Sequence, residues 1–208
     1  MTETFPLLSK KSLPWRSWRF WVPLVLQTAL IAAVPAQAVY THLTGTTVVL
    51  KTVPVDPYDL LRGYSQTLAY DISRPDDLRS LPGWNTLPQT PVPGGKPALK
   101  DTELFVILEA PTPTNQGRPQ PWKPVGVSRD RPSSLPSSQI ALKGRVKNGW
   151  QIVYGLETYY MPENRREEVN KQVTRANQKQ TGAVEIKVDT QGNAIPLSLW
   201  VENQKYEF

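Results

Sequence analysis

The stretch QIALKGRVKNGWQIVYGLETYY, Gln139–Tyr160, decides the fold class of this 208-residue chain. Asn148-Gly149 stands between two runs of alternating apolar and polar residues, Gln139–Lys147 and Trp150–Tyr160. A period of two sends one row of side chains into a core and the other into solvent, as in a half-buried strand. A two-residue loop between such strands needs positive φ at both positions, and Asn-Gly adopts that backbone readily. The pair therefore predicts an antiparallel hairpin. Upstream, the alternation recurs in Thr46–Val53, Gln66–Ile72 and Glu103–Ala110, and briefly in Lys123–Ser128. Downstream it returns in Ala183–Asp189 and Ala194–Glu202, joined through Gln191-Gly192-Asn193. Seven or eight strands of this length predict a mainly β fold, a small antiparallel barrel or sandwich.

The N-terminal part differs in kind. Phe20–Ala38 is a run of 19 residues without a charge. As a helix it spans roughly 28 Å, close to the ~30 Å hydrocarbon core of a bilayer. Lys10, Lys11, Arg16 and Arg19 precede it, so the positive-inside rule predicts a cytoplasmic segment 1–19, a membrane anchor 20–43 and an extracytoplasmic domain 44–208. Trp15, Trp18 and Trp21 suit the membrane interface, where a ring is half wet. Ala36-Gln37-Ala38 also matches a signal-peptide cleavage site, with Pro35 expected to break the helix just before it. The apolar run exceeds the ~7–15 residues of a signal core, which favours an uncleaved single-pass anchor. The lipid bilayer is then the first expected partner. Small-residue pairs Ala29/Ala33 and Ala32/Ala36, with Gln27 nearby, suit contact with a second membrane helix.

Composition narrows the function. The net charge of +6 divides equally: residues 1–19 carry +3 and the remaining 189 carry +3. The exported part is close to balanced, so its charge predicts no nucleic-acid partner. No Cys is present, and thirteen of the 21 Pro fall between Pro75 and Pro136. The Pro-rich segments 74–100 and 111–138 show no period and predict stiff surface loops, with Trp84 and Trp122 pinning them to the core. Pro162–Gln178 predicts one helix, Asn164 and Glu167 forming its N-terminal capping pair.

Few groups suit catalysis. His42 is the only His and lies just beyond the apolar run, so no triad built on His is expected. No glycine-rich phosphate loop, metal site or other cofactor site is predicted. Ser65 with Lys143 would supply Ser-Lys chemistry, and Glu157 with Glu163 or Asp59 a carboxylate pair for glycoside hydrolysis.

DPYDLLRGYSQTLAY, Asp56–Tyr70, packs turn formers, a cation and aromatics into one corner. Asp56-Pro57 starts a turn, Asp59 caps a helical turn, and Gly63 ends it in the left-handed region. Arg62 then needs a carboxylate, from Asp56, Asp59 or Glu157, and a structural ion pair is expected. This stretch, with Tyr154–Glu163 (YGLETYYMPE) and the C-terminal VEIKVDTQGNAIPLSLWVENQKYE, resembles the bacterial GDYXXLXY protein family from about residue 20 onward. Gly63, Leu68 and Tyr70 fit its motif, and Tyr154, Gly155, Glu157, Tyr159, Tyr160, Pro162 and Glu163 lie in the second similar segment. Tyr64 and Ser65 stand where the family pattern has Asp and Tyr, which suggests a divergent, cyanobacterial-type subgroup. The resemblance implies an N-terminal anchor and an extracytoplasmic β domain, and it supplies no activity.

The expected function is a non-catalytic domain, periplasmic or lumenal, on a plasma or thylakoid membrane. It would bind or help assemble a membrane protein complex through its helix or its Pro-rich loops. A carboxylate-based hydrolase and a barrel holding a small apolar ligand are the alternatives.

Overall fold

The computed structural model describes residues 18–53, 65–112, 119–160, 182–201 and 204–207. It divides into two units, residues 1–39 and 40–208. The first unit contributes most of helix α1, Trp18–Thr44, whose apolar side chains up to Tyr40 are all exposed. This helix is long and apolar enough to cross a membrane. It continues through Pro23 and Pro35, so the expected break at Pro35 does not occur. A Pro removes one helix hydrogen bond, and the flanking turns carry the helix past the gap. His42 lies inside the last turn of α1.

The second unit is a sandwich. One sheet has the order β13-β12-β11-β1-β3 and the other β7-β6-β8-β9. The first contains β1 (Thr46–Val53), β3 (Ala69–Tyr70), β11 (Gly182–Val188), β12 (Ala194–Val201) and β13 (Gln204–Glu207). The second contains β6 (Glu103–Glu109), β7 (Lys123–Ser128), β8 (Gln139–Lys147) and β9 (Gln151–Val153). All these ladders are antiparallel. No ladder joins the two sheets among the described residues, so the fold is a sandwich and not a closed barrel. Val48, Leu50, Val184 and Ile186 from one sheet share a single buried cluster with Leu104, Val106, Leu142 and Ile152 from the other. Face-to-face apolar rows of this kind are what the period-two alternation encodes.

The Asn-Gly turn forms as expected, with Asn148 at φ 56° and Gly149 at φ 72°. Three expectations need correction. Gln66–Ile72 is not one strand: β2 (Ser65–Thr67) pairs with β10 (Thr158–Tyr160), β3 pairs with β1, and Asp71–Ser73 forms a 3-10 turn. The chain changes partners at Leu68, whose N–H donates to the Glu157 carbonyl at 2.7 Å. Trp150–Tyr160 is likewise interrupted between β9 and β10, where Gly155 takes φ 78°. The segment 74–100 is not a bare loop. It folds into α2 (Pro75–Leu78), a 3-10 turn Trp84–Thr86, and a short pair of strands, β4 (Gln89–Thr90) and β5 (Ala98–Leu99).

That segment is held by apolar contacts, as the two tryptophans suggested. Trp84, Leu78, Leu87 and Leu99 are buried in the common core, and Trp122 packs against it. The Trp122 N–H donates to the Val49 carbonyl at 2.8 Å. The Arg79 guanidinium lies 5.3 Å from the Trp84 ring centre and bonds Asp76 at 2.6 Å and the Pro97 carbonyl at 2.9 Å. Gly83, at φ 86°, approaches β7 so closely that a Cβ would land on the Val127 carbonyl oxygen. Burying these side chains offsets the entropy of ordering a long connection.

Candidate functional site

The two motif segments meet in the core. Tyr70 and Tyr154 are buried, and each phenol donates to the main chain of the other's segment. The Tyr70 hydroxyl bonds the Leu156 carbonyl at 2.6 Å, and the Tyr154 hydroxyl bonds the Ile72 carbonyl at 2.7 Å. The carboxylate of Glu157 turns back to accept the Tyr154 N–H at 2.5 Å, and Gly155 supplies the left-handed residue that this tight turn requires. Leu68, Ile72 and Leu156 fill the space around the tyrosines. A buried polar group without a partner is costly, and this reciprocal arrangement satisfies both hydroxyls.

The electrostatics match a closed, structural contact. Burial pushes the Tyr70 phenol well above its ordinary range, and the charge of Glu157 adds to the effect. The same holds for Tyr154, through burial first and then the carboxylates of Asp71 and Glu157. Burial also raises the Asp71 carboxyl, against backbone hydrogen bonds and nearby Lys51. Phenols held neutral in this way donate hydrogen bonds and do not act as bases.

Of the other residues singled out from the sequence, Asp56, Pro57, Asp59, Arg62, Gly63, Pro162, Glu163 and Trp15 lie outside the described residues, as does the helix expected over Pro162–Gln178. Tyr159 and Tyr160 are in β10, paired with Gln66 and Ser65. Trp18 and Trp21 are exposed near the start of α1. Lys143, the residue read with Ser65 in the sequence, makes an ion pair with Glu103 at 2.9 Å. Arg145 bonds the same carboxylate at 3.1 Å, and these two partners hold Glu103 below the usual carboxylate range. The three charges line an open depression of about 420 Å³ with Val153, Gly155, Asn193 and Ala194. It is a charged surface feature. Among the described residues no group of His, Asp and Glu could hold a metal ion.

A second polar centre was not foreseen. Asp189, buried between β11 and β12, accepts the Thr41 hydroxyl at 2.9 Å. It also accepts the N–H groups of Gln191 at 2.8 Å and Asn193 at 2.9 Å. Burial works against its charge, but the bonds from Asn193, Thr41 and the two amides prevail and keep its carboxyl below the usual range. Sequence showed only the turn. A Thr 148 positions away carries no local signal.

A membrane-length helix in one unit and, in the other, an antiparallel sandwich pinned by two inward-facing tyrosines define the class of protein. The chain belongs to the GDYXXLXY protein family, whose model matches residues 27–199. Leu68 and Tyr70 of the motif are the core residues just described. No curated protein and no solved structure matches the chain.

Proposed function

We propose that this is a non-catalytic single-pass membrane protein whose β domain lies outside the cytoplasm and helps assemble or hold a membrane protein complex. The observation that carries the reading is the use made of the motif: Tyr70, Tyr154 and Glu157 direct their polar atoms at main-chain groups of their own domain. A motif used in this way supports a scaffold. It also weighs against the hydrolase alternative, because Glu157 already caps a backbone amide. Export is supported by the basic residues that precede α1 and the uncharged run that follows them. The exposed small residues and Gln27 on α1 supply a surface for a neighbouring membrane helix.

Affinity purification of the tagged full-length protein from detergent-solubilised native membranes tests the assignment. The expected result is stoichiometric recovery of other integral membrane proteins, reduced when Ala29 and Ala33 are replaced by Leu. Recovery of the chain alone, under detergents that keep other complexes intact, would refute it. Impermeant thiol labelling of Ser134→Cys in whole cells or sealed vesicles tests the orientation, and protection from the outside reagent would reverse it.

A further inference from the structure

Asn148-Gly149 is the only Asn-Gly pair in the chain. A glycine has no side chain to shield its nitrogen, so such a pair can lose ammonia without an enzyme. The Gly149 nitrogen gives up its proton and attacks the side-chain carbonyl carbon of Asn148, and ammonia leaves. Water then opens the five-membered imide at one carbonyl or the other, leaving Asp or isoaspartate. Asn148 is exposed to that water in the turn between β8 and β9, with its backbone at φ 56°. Gly149 is buried.

The strap that ends in β5 takes up both polar groups of that glycine's main chain. The Gly149 N–H donates to Asp101 Oδ1 at 3.2 Å, and the Gly149 carbonyl accepts the Leu99 N–H at 3.3 Å. The seam continues to the Val146 N–H, which donates to the Thr102 carbonyl at 2.9 Å. The strap also lies directly on the glycine: a Cβ there would stand 3.0 Å from the Leu99 carbonyl oxygen and 3.1 Å from the Ala98 Cβ. These contacts oppose the reaction in two ways. Ring closure turns the peptide unit between Asn148 and Gly149, which breaks the bond to Asp101 and drives the unit against the strap. A carboxylate at the N–H also disfavours the amide anion that must form there, because like charges repel.

We propose that Asn148 is a modification site, converted to Asp or isoaspartate by water, and that Asp101 guards it by holding the Gly149 N–H while the strap is seated. Each opening of the strap releases that N–H and exposes the pair to the reaction. Conversion is one-way. Asp at position 148 places a second negative charge one residue from the amide that Asp101 holds, and isoaspartate adds a main-chain atom to a two-residue turn. Either product weakens the seam that seats the strap, so the site records past opening and favours further opening.

The full-length protein and its Asp101→Ala and Asp101→Asn variants are incubated in one detergent in warm, mildly alkaline buffer, and peptide mass spectrometry follows the peptide that carries Asn148. The same chain denatured in urea gives the unguarded rate. Folded wild type should react far more slowly than the denatured chain. Asp101→Ala removes a hydrogen bond to a charged acceptor and should react about tenfold faster than wild type, or more. Asp101→Asn keeps an acceptor oxygen and loses the charge, so it should stay folded and react at a rate between the two. Circular dichroism under the same conditions shows which variants are folded, and if Asp101→Ala is not, Asp101→Asn decides. A folded variant that reacts no faster than wild type overturns the guarding role. A folded wild type that reacts as fast as the denatured chain overturns it too, and an Asn148 that never converts even in urea overturns the modification site itself.

Discussion

Replacing Tyr154 by Phe removes one oxygen from the core and leaves the ring in place. Its hydroxyl is the donor that the Ile72 carbonyl receives at 2.7 Å, and Tyr70 makes the matching bond to Leu156 at 2.6 Å. Removing one partner of a buried hydrogen bond costs about 1–3 kcal/mol, because the group left behind remains out of water. In a chain of this size 1 kcal/mol moves Tm by roughly 2–4 °C, so Tyr154→Phe or Tyr70→Phe should lower Tm by roughly 2–12 °C. Both bonds join the same two segments. Once one is lost the segments can separate and admit water, so the double variant should cost less than the two single costs combined, with a coupling of ~0.5–3 kcal/mol. Thermal unfolding of the full-length protein in one fixed detergent measures all four corners of the cycle. The phenols add a pH signature. Each has a folded-state pKa raised above its unfolded value of about 10, so their contribution is complete below that pH and is lost as pH rises above it. Wild-type stability should therefore fall in the alkaline range, and the Phe variants should fall less steeply. Single variants within ~0.5 kcal/mol of wild type, or strictly additive losses, would refute the clasp.

Gly83→Ala should be far more damaging than Gly94→Ala: both glycines have positive φ, but only at Gly83 would a Cβ meet backbone, the Val127 carbonyl. Gly94 has nothing within 4 Å, so its variant should lose only the ~1–2 kcal/mol of a left-handed backbone, and equal losses in urea unfolding would contradict the close approach. Thr41→Val deletes a hydrogen bond to a charged acceptor at nearly constant volume and should cost about 1.5–3 kcal/mol. Because the Asp189 carboxyl is held below its unfolded value of about 3.9, its contribution is present above that pH and is lost as pH falls below it. Thr41→Val should therefore make stability less sensitive to acid, and an unchanged acid titration would argue against the tie. Glu157→Gln keeps an oxygen for the Tyr154 N–H and should cost under ~1 kcal/mol, whereas Glu157→Ala strands the amide at ~1–3 kcal/mol. A Gln variant as unstable as Ala would show that the charge carries the position, as the Arg62 pairing expected from sequence requires.

The parts of this fold that were legible are those encoded locally. In β11, Val184, Ile186 and Val188 are buried while Glu185 and Lys187 are partly exposed, so the alternation reports the strand directly. Asn148-Gly149 announces its turn because only the backbone of those two residues decides it. Leu78, Trp84, Leu87 and Leu99 follow no period, since the segment that carries them crosses the core as a strap of short turns. β13 was missed because four residues with one buried side chain, Tyr206, give too short an alternation to recognise. The strand read at Gln66–Ile72 failed for another reason: its residues alternate correctly, but the chain changes sheet partners at Leu68. Partner choice depends on Glu157, which is remote in sequence. The Asp189 centre has the same character, since Thr41 acquires its meaning only when β11 folds back beside β1.

This division bears on how the motif should be interpreted. Leu68 and Tyr70 can mark a family because the fold needs an apolar plug and an inward phenol at one corner. Tyr154 and Glu157 form the other half of that corner. Residues bound so tightly to their own backbone report how the domain closes. What the protein contacts should be sought on outward faces, where side chains are free to differ without loss of the fold, such as the helix surface around Ala29 and Ala33. Substitutions there should alter association while leaving Tm within ~0.5 kcal/mol equivalents of wild type. Substitutions at the tyrosine corner should do the reverse, lowering stability first and association only as a consequence. Measuring both quantities on the Tyr154→Phe and Ala29→Leu variants separates the two roles, and an Ala29→Leu protein that unfolds as early as Tyr154→Phe would break the distinction.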